Sequence, residues 1–239
     1  MNGTVMFGGD RFGPGQDFAA TYHALGGRRL AADVVQGTIA ACYQTMGAIY
    51  EDPARCDSFP RVSETLRELS IGRDLSDPEL ELLERVIATH ELGRIPDEYA
   101  RAITRLAAGH RLGLVANILS RKGPWLEEFA RAGVLHRFAT TVFSSDTSSI
   151  KPSRKLFDRA VTALAAPRSE VVFVGDSLRC DIAGAAGAGL ATVWIDRTGH
   201  GRQAHDPQPS FVVRDLLDLV TCHRPPRPPR PPRWSAVSA

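Results

Sequence analysis

The stretch "VVFVGDSLRCDIAGAAGAGLATVWI", residues 171–195, constrains the fold of this chain more than any other. Four consecutive apolar residues run into Gly175-Asp176, a helix rich in Gly and Ala follows, and a second apolar run closes the unit. A strand that is apolar at every position is buried on both faces. Strands of that kind joined through helices form parallel sheets.

The same alternation extends upstream. After Pro96, helices are expected over 97–108, 124–132 and 153–164, and strands over 112–115, 140–143 and 171–174. A helix begins over 181–187, strands follow over 191–195 and 211–213, and 216–220 closes the series. With right-handed crossovers this order predicts an α/β fold, a doubly wound parallel, Rossmann-like sheet. A short strand is also expected at residues 5–7, "VMF", ending in a Gly-rich turn. Residues 17–99 read differently. Phe18, Tyr22 and Leu25, then Val34, Ile39, Cys42 and Met46, then Leu80, Leu83, Val86 and Ile87 recur at helical spacing. Ser76 ahead of Asp77-Pro78 reads as a helix N-cap with proline just inside. The run "RPPRPPRPPR" can form neither helix nor sheet, so an extended, disordered tail is expected over 222–239.

Composition excludes some function classes. A net charge of +2 over 239 residues argues against a nucleic-acid partner. No window is apolar enough to span a membrane and no secretory leader is expected. Four cysteines without a close pair suit reduced thiols, hence a cytoplasmic setting. The oligomeric state is left open.

Two stretches carry chemistry. Asp176 follows a buried strand, which places it at the carboxyl edge of the sheet, where open α/β sheets bind ligands. Asp181 comes five residues later. Together they suit a hard cation, although either alone could simply cap a turn. "SSDTSSIKPSRKLF", residues 144–157, carries Lys151, which could neutralise a phosphate or a carboxylate pair. Histidines such as His90, His110 and His136 are scattered and read as surface or helix-end residues.

These stretches resemble the haloacid dehalogenase (HAD) superfamily, mostly magnesium-dependent phosphatases. "GDSLRCDIAGAAGAG" is similar to its fourth motif, "SSDTSSIKPSRKLF" to its third and "LGLVANILS" to its second. The resemblance implies a core from 1–14 and 96–221 with an inserted α-helical cap over 15–95. It also implies a first-strand aspartate that attacks phosphorus, a second acid that protonates the leaving group, and Mg2+ between them.

The family's first motif runs Asp-x-Asp-Gly-Thr. Aligned on the strand expected at 5–7, Gly8 falls at the nucleophile position, leaving it vacant, and Asp10 falls on the acid/base. Arg11 and Phe12 replace the Gly and Thr, and Arg11 could bring positive charge to the site. Ala116 replaces the second-motif hydroxyl residue, leaving Asn117. The resemblance then assigns Asp10 and Lys151 as catalytic, Asn117 and Lys151 as phosphate-binding, and Asp10, Asp176 and Asp181 as metal ligands. It predicts a catalytically impaired protein that binds a phosphorylated or anionic ligand or a protein partner. The alternative is an active magnesium-dependent phosphatase using Asp10 with Asp176.

Overall fold

The computed structural model describes residues 1–69 and 75–222, without the side chains of the last two. The Arg/Pro run of the expected tail lies outside the described residues. Four helices come first: α1 (Phe18–Ala24), α2 (Ala32–Glu51), α3 (Val62–Glu68) and α4 (Asp77–Glu91). Their periodic apolar residues, among them Tyr22, Ile39, Met46, Leu66, Leu83 and Ile87, meet in one cluster. Ser76 stands at the N-cap of α4 with proline just inside. Its side chain makes no capping bond, so Pro78 and the first-turn acids Asp77 and Glu79 start the helix instead.

The remainder alternates: α5 (Asp97–Ala107), β1 (Leu112–Ala116), α6 (Gly123–Arg131), β2 (Phe138–Phe143), α7 (Arg154–Leu164), β3 (Val172–Gly175), α8 (Gly184–Gly187), β4 (Ala191–Ile195), β5 (Phe211–Val213) and α9 (Leu216–Cys222). Every strand pair is parallel. β1 pairs with β2, Ala116 opposite Phe143, and β3-β4-β5 form a second ladder with Gly175 opposite Trp194. Large apolar side chains, Trp125 and Phe129 of α6 with Tyr99 and Ile103 of α5, cover one face. Leu156, Phe157, Ala160 and Val161 of α7 cover the other.

Two expectations are corrected. Residues 5–7 do not form a strand. Thr4, Val5 and Met6 all donate backbone N–H groups to Met1 O, which coils the segment into a turn. Only isolated bridges, Asn2 with Met6 and Phe7 with Arg94, remain. The helix expected from Asp181 begins as a π-helical turn, Leu178–Ala183, before tightening at Gly184. Among the described residues, no helix is long and apolar enough to cross a membrane.

Candidate active site

The carboxyl ends of β1 and β3 open into a cavity of about 550 Å³ between the sheet and the four N-terminal helices. The cap side brings Tyr43, Met46, Tyr50 and Phe59, and the sheet side brings Asn117, Lys151, Asp176 and Asp181. Backbone bonds strap the two halves together: Phe59 N–H to Ser148 O and Ile150 N–H to Cys56 O, both 2.8 Å. The guanidinium of Arg179 lies 4.9 Å from the Tyr50 ring centre, and the Tyr50 hydroxyl meets Cys180 Sγ at 3.1 Å.

Lys151 and Asp181 form a buried ion pair at the back of the cavity, 2.6 Å apart, with side chains 6% and 4% exposed. Burial by itself would raise the Asp181 pKa. The Lys151 ammonium, the α-amino group and the Ser177 N–H outweigh it and hold the carboxyl below its ordinary range. Asp181 sits so close to Gly175 that a Cβ there would lie 2.4 Å from its carboxyl group, so only glycine ends β3 in this way. Asn117 is spent on positioning: its Oδ1 accepts from Lys151 N–H at 2.8 Å and its amide donates to Lys151 O at 3.2 Å. The same amide also donates to the Tyr50 hydroxyl at 3.3 Å, so the groups expected to hold phosphate are engaged within the protein.

Asp176 Oδ1 accepts from the Thr4 hydroxyl at 2.7 Å, and its backbone carbonyl accepts from Trp194 Nε1 at 3.0 Å. Gly3, at φ +82°, lets its backbone lie against this carboxylate, since a Cβ would fall 2.5 Å from Asp176 Oδ2. Within the first segment, Met1 and Asn2 line the cavity and Gly3 and Thr4 meet Asp176, with Asp10 at the rim. This corrects the alignment that put Gly8 at the nucleophile position. Gly8 is exposed, nothing lies within 4 Å of where its Cβ would be, and it does not line the cavity. Asn2-Gly3-Thr4 instead occupies the last three positions of the Asp-x-Asp-Gly-Thr pattern, with Asn2 at the second acid. The Gly-Thr pair was visible in the sequence. The apolar run "VMF" drew the strand, and the register with it, eight residues too far, from Asn2 to Asp10 at the second acid.

Asp10 lines the cavity rim, where its Oδ2 accepts from the Asn2 amide at 2.7 Å. Arg11 turns away, onto the Gly8, Thr89 and Leu92 carbonyls at the end of α4, and brings no charge to the cavity. Glu91 was not anticipated. It lines the same cavity and accepts from Leu119 N–H, Ser120 N–H and the Ser120 hydroxyl at 2.6, 3.1 and 2.8 Å. Burial dominates those bonds and pushes its pKa up to about 7. His90 beside it stands in the last turn of α4, the helix-end rather than the surface position of the two expected, and is buried there, bonded to Thr21 and to Arg11 O.

The expected metal set is not assembled. Among the described residues no group of three or more His, Cys, Asp or Glu side chains could hold an ion. Asp181 is spent on Lys151 and the Ser177 N–H, whereas Asp10 and Asp176 each have one carboxylate oxygen engaged, by the Asn2 amide and the Thr4 hydroxyl. With Asp181 spent on Lys151, two carboxylates beside two amino groups fall short of the three acids expected to hold magnesium.

The architecture is that of a HAD-fold protein. The chain superposes on the HAD-hydrolase YfnB of Bacillus subtilis (TM-score 0.57, 18% identity, 93% of this chain and 95% of that one). It also superposes on a 2-haloacid dehalogenase of Pseudomonas syringae (TM-score 0.60, 21% identity, 93% and 95%). The HAD-hydrolase-like family model matches residues 150–219. A glyceraldehyde 3-phosphate phosphatase of Methanopyrus kandleri is 34% identical over 165 residues, 64% of this chain and 70% of that protein. A phosphoserine phosphatase of Thermus thermophilus is 34% identical over 125 residues, 51% of this chain and 49% of that protein, so the match spans about half its length. The chain belongs to the HAD-like hydrolase family.

Proposed function

We propose that the cavity binds a phosphorylated small molecule of the kind HAD phosphatases act on, and that the chain as described turns it over poorly. The observation that carries this reading is Lys151, locked by Asp181 and Asn117, facing Asp176 across a cavity roofed by the cap. Its volume, about 550 Å³, suits a metabolite rather than a macromolecule. Names given to its relatives, among them the phosphoserine and glyceraldehyde 3-phosphate phosphatases, support the ligand class.

The impairment follows from the carboxylates. Nucleophilic attack on phosphorus needs an unengaged carboxylate aimed into the site. Asp181 is held in an ion pair, Asp10 and Asp176 are each tied through one oxygen, to the Asn2 amide at the rim and to the Thr4 hydroxyl, and Glu91 is buried against two N–H groups. Asn2, at the second acid, can donate a hydrogen bond but cannot shuttle a proton. The lining acids Asp10, Glu51, Glu91, Asp176 and Asp181 face one lysine and one α-amino group, so a dianionic phosphate meets net negative charge. Magnesium would relieve that repulsion only with a further anionic ligand. A cytoplasmic setting and no nucleic-acid or membrane partner remain part of this reading.

The test is phosphate release from a panel of phosphorylated metabolites, with magnesium or chelator, alongside calorimetric binding of the same compounds. No release above that of Asp10→Asn is expected, with at least one compound binding and losing affinity in Lys151→Gln. Chelator-sensitive release that Asp10→Asn abolishes would overturn the impairment. Absence of binding by every compound would overturn the ligand class.

A further inference from the structure

A cation of the chain is already seated on the cap wall. Arg179 lays its guanidinium 4.9 Å from the Tyr50 ring centre and donates to Glu51 Oε1 at 3.2 Å. An aromatic face backed by a carboxylate holds a cation well, because the ring's negative face and the acid attract the same charge. The same helix carries a second seat of this kind. Tyr43 stands two turns before Tyr50 on one side of α2, about 10 Å along its axis. Met46 and Gly47 lie between them, and all four line the cavity. Nothing lies within 4 Å of where a Gly47 Cβ would be, so the wall between the two rings is open.

This second seat has the ring and the acid without the cation. Phe12 covers one face of Tyr43, with ring centres 4.0 Å apart and planes at 11°. Among the described residues no Lys or Arg stands over the Tyr43 ring. Asp10 and Glu91 are close enough that their charges, after burial, push the Tyr43 hydroxyl pKa up. Asp10 is met by the Asn2 amide, a neutral donor. Arg11, beside it in the chain, is spent on the Gly8, Thr89 and Leu92 carbonyls. Of the described residues that line the cavity, Lys151 alone is a Lys or Arg, and Asp181 takes its charge.

We propose that the phosphorylated ligand of this cavity carries an organic cation at its other end, an ammonium group seated beside Asp10 on the face of Tyr43 that Phe12 leaves uncovered. The inference rests on the phosphate reading and supplies the second half of the ligand. The phosphate end goes toward Lys151 and the cationic end toward the rim. The alkyl chain between them lies along Met46 and the bare backbone of Gly47. The ammonium offsets the negative charge that the lining acids turn toward a phosphate, so a zwitterionic monoester is admitted where a plain one is repelled. Tyr43 and Asp10 are then the residues that set ligand choice.

The test is calorimetric binding of aminoalkyl phosphates of increasing chain length. Each is paired with the alkyl phosphate in which a methyl group replaces the ammonium, so the partners differ in charge and not in size. The best aminoalkyl phosphate is expected to bind about tenfold more tightly than its neutral partner. Tyr43→Leu is expected to abolish that preference and Asp10→Asn to reduce it. Tyr43→Phe is expected to keep it, because the ring and not the hydroxyl seats the cation. Equal affinity within every pair overturns the proposal and leaves the phosphate reading standing. A preference that Tyr43→Leu leaves intact overturns it too. Binding by neither series overturns the phosphate reading and this inference with it.

Discussion

The helical cap and the α/β core are stabilised in different ways. The cap closes on a continuous apolar cluster, from Phe18 and Tyr22 through Ile39 and Met46 to Leu83 and Ile87. The core has apolar clusters on both faces of its sheet, but its centre holds Lys151, Asp181, Glu91 and the Met1 α-amino group, and its strands form two ladders. Apolar burial needs only periodicity and volume. Buried charge needs each partner in place, so the core is the half that one substitution can upset electrostatically.

The largest effect is expected where a buried charge loses its partner. Lys151→Met leaves Asp181 uncompensated and is expected to cost roughly 3–5 kcal/mol in urea denaturation. A loss below about 1 kcal/mol would show that water reaches the pair and that the core is no more fragile than the cap. The matching change in the cap, Leu83→Ala, removes a fully buried side chain. It is expected to cost roughly 2–5 kcal/mol, equally at pH 5 and pH 8, because no titrating group is involved.

That pH independence sharpens the comparison, because Glu91 makes the core respond to pH. Its folded pKa, about 7, lies above its ordinary value of 4.5. Below the lower value it is protonated in both states. Between the two it is protonated only when folded, so stability falls as pH rises through this window. The loss is on the order of 3 kcal/mol, at about 1.4 kcal/mol per pKa unit. Glu91→Gln is expected to flatten the stability profile from about pH 4.5 to 7, and an unchanged slope would refute the assignment.

Gly3→Ala forces a side chain into positive φ and against Asp176, with an expected loss of about 1–3 kcal/mol by thermal denaturation. The same change at Gly8, also at positive φ but open to solvent, is expected to cost less. The order of the two tests which glycine carries the first motif. The smallest effect belongs to the cap surface. Arg67 and Asp77 pair across exposed side chains, so Arg67→Ala is expected to change stability by less than about 1 kcal/mol.

Much of the fold was legible because strand and helix periods are local. The strand at 191–195 appears where its apolar run places it, and α5 and α7 start within a residue of their signals. The site was legible where a motif sits on a regular element, as with Asp176 and Asp181 after β3. It was not legible at the amino end. There "VMF" has the composition of a strand, but it coils against Met1 O and leaves Asn2-Gly3-Thr4 to meet Asp176. Glu91 was missed because helical periodicity ranks a residue by its own polarity, not by what a distant loop lays over it.

By itself the sequence determined the alternation of helix and strand, the helical insertion and the family, because these follow from spacing and short motifs. Only the tertiary structure decided which glycine touches a carboxylate and that Asn117 holds the Lys151 backbone. Those features are contacts between residues far apart in the chain, as far as Gly3 from Asp176. Their free energy depends on packing and dielectric, which no local pattern encodes.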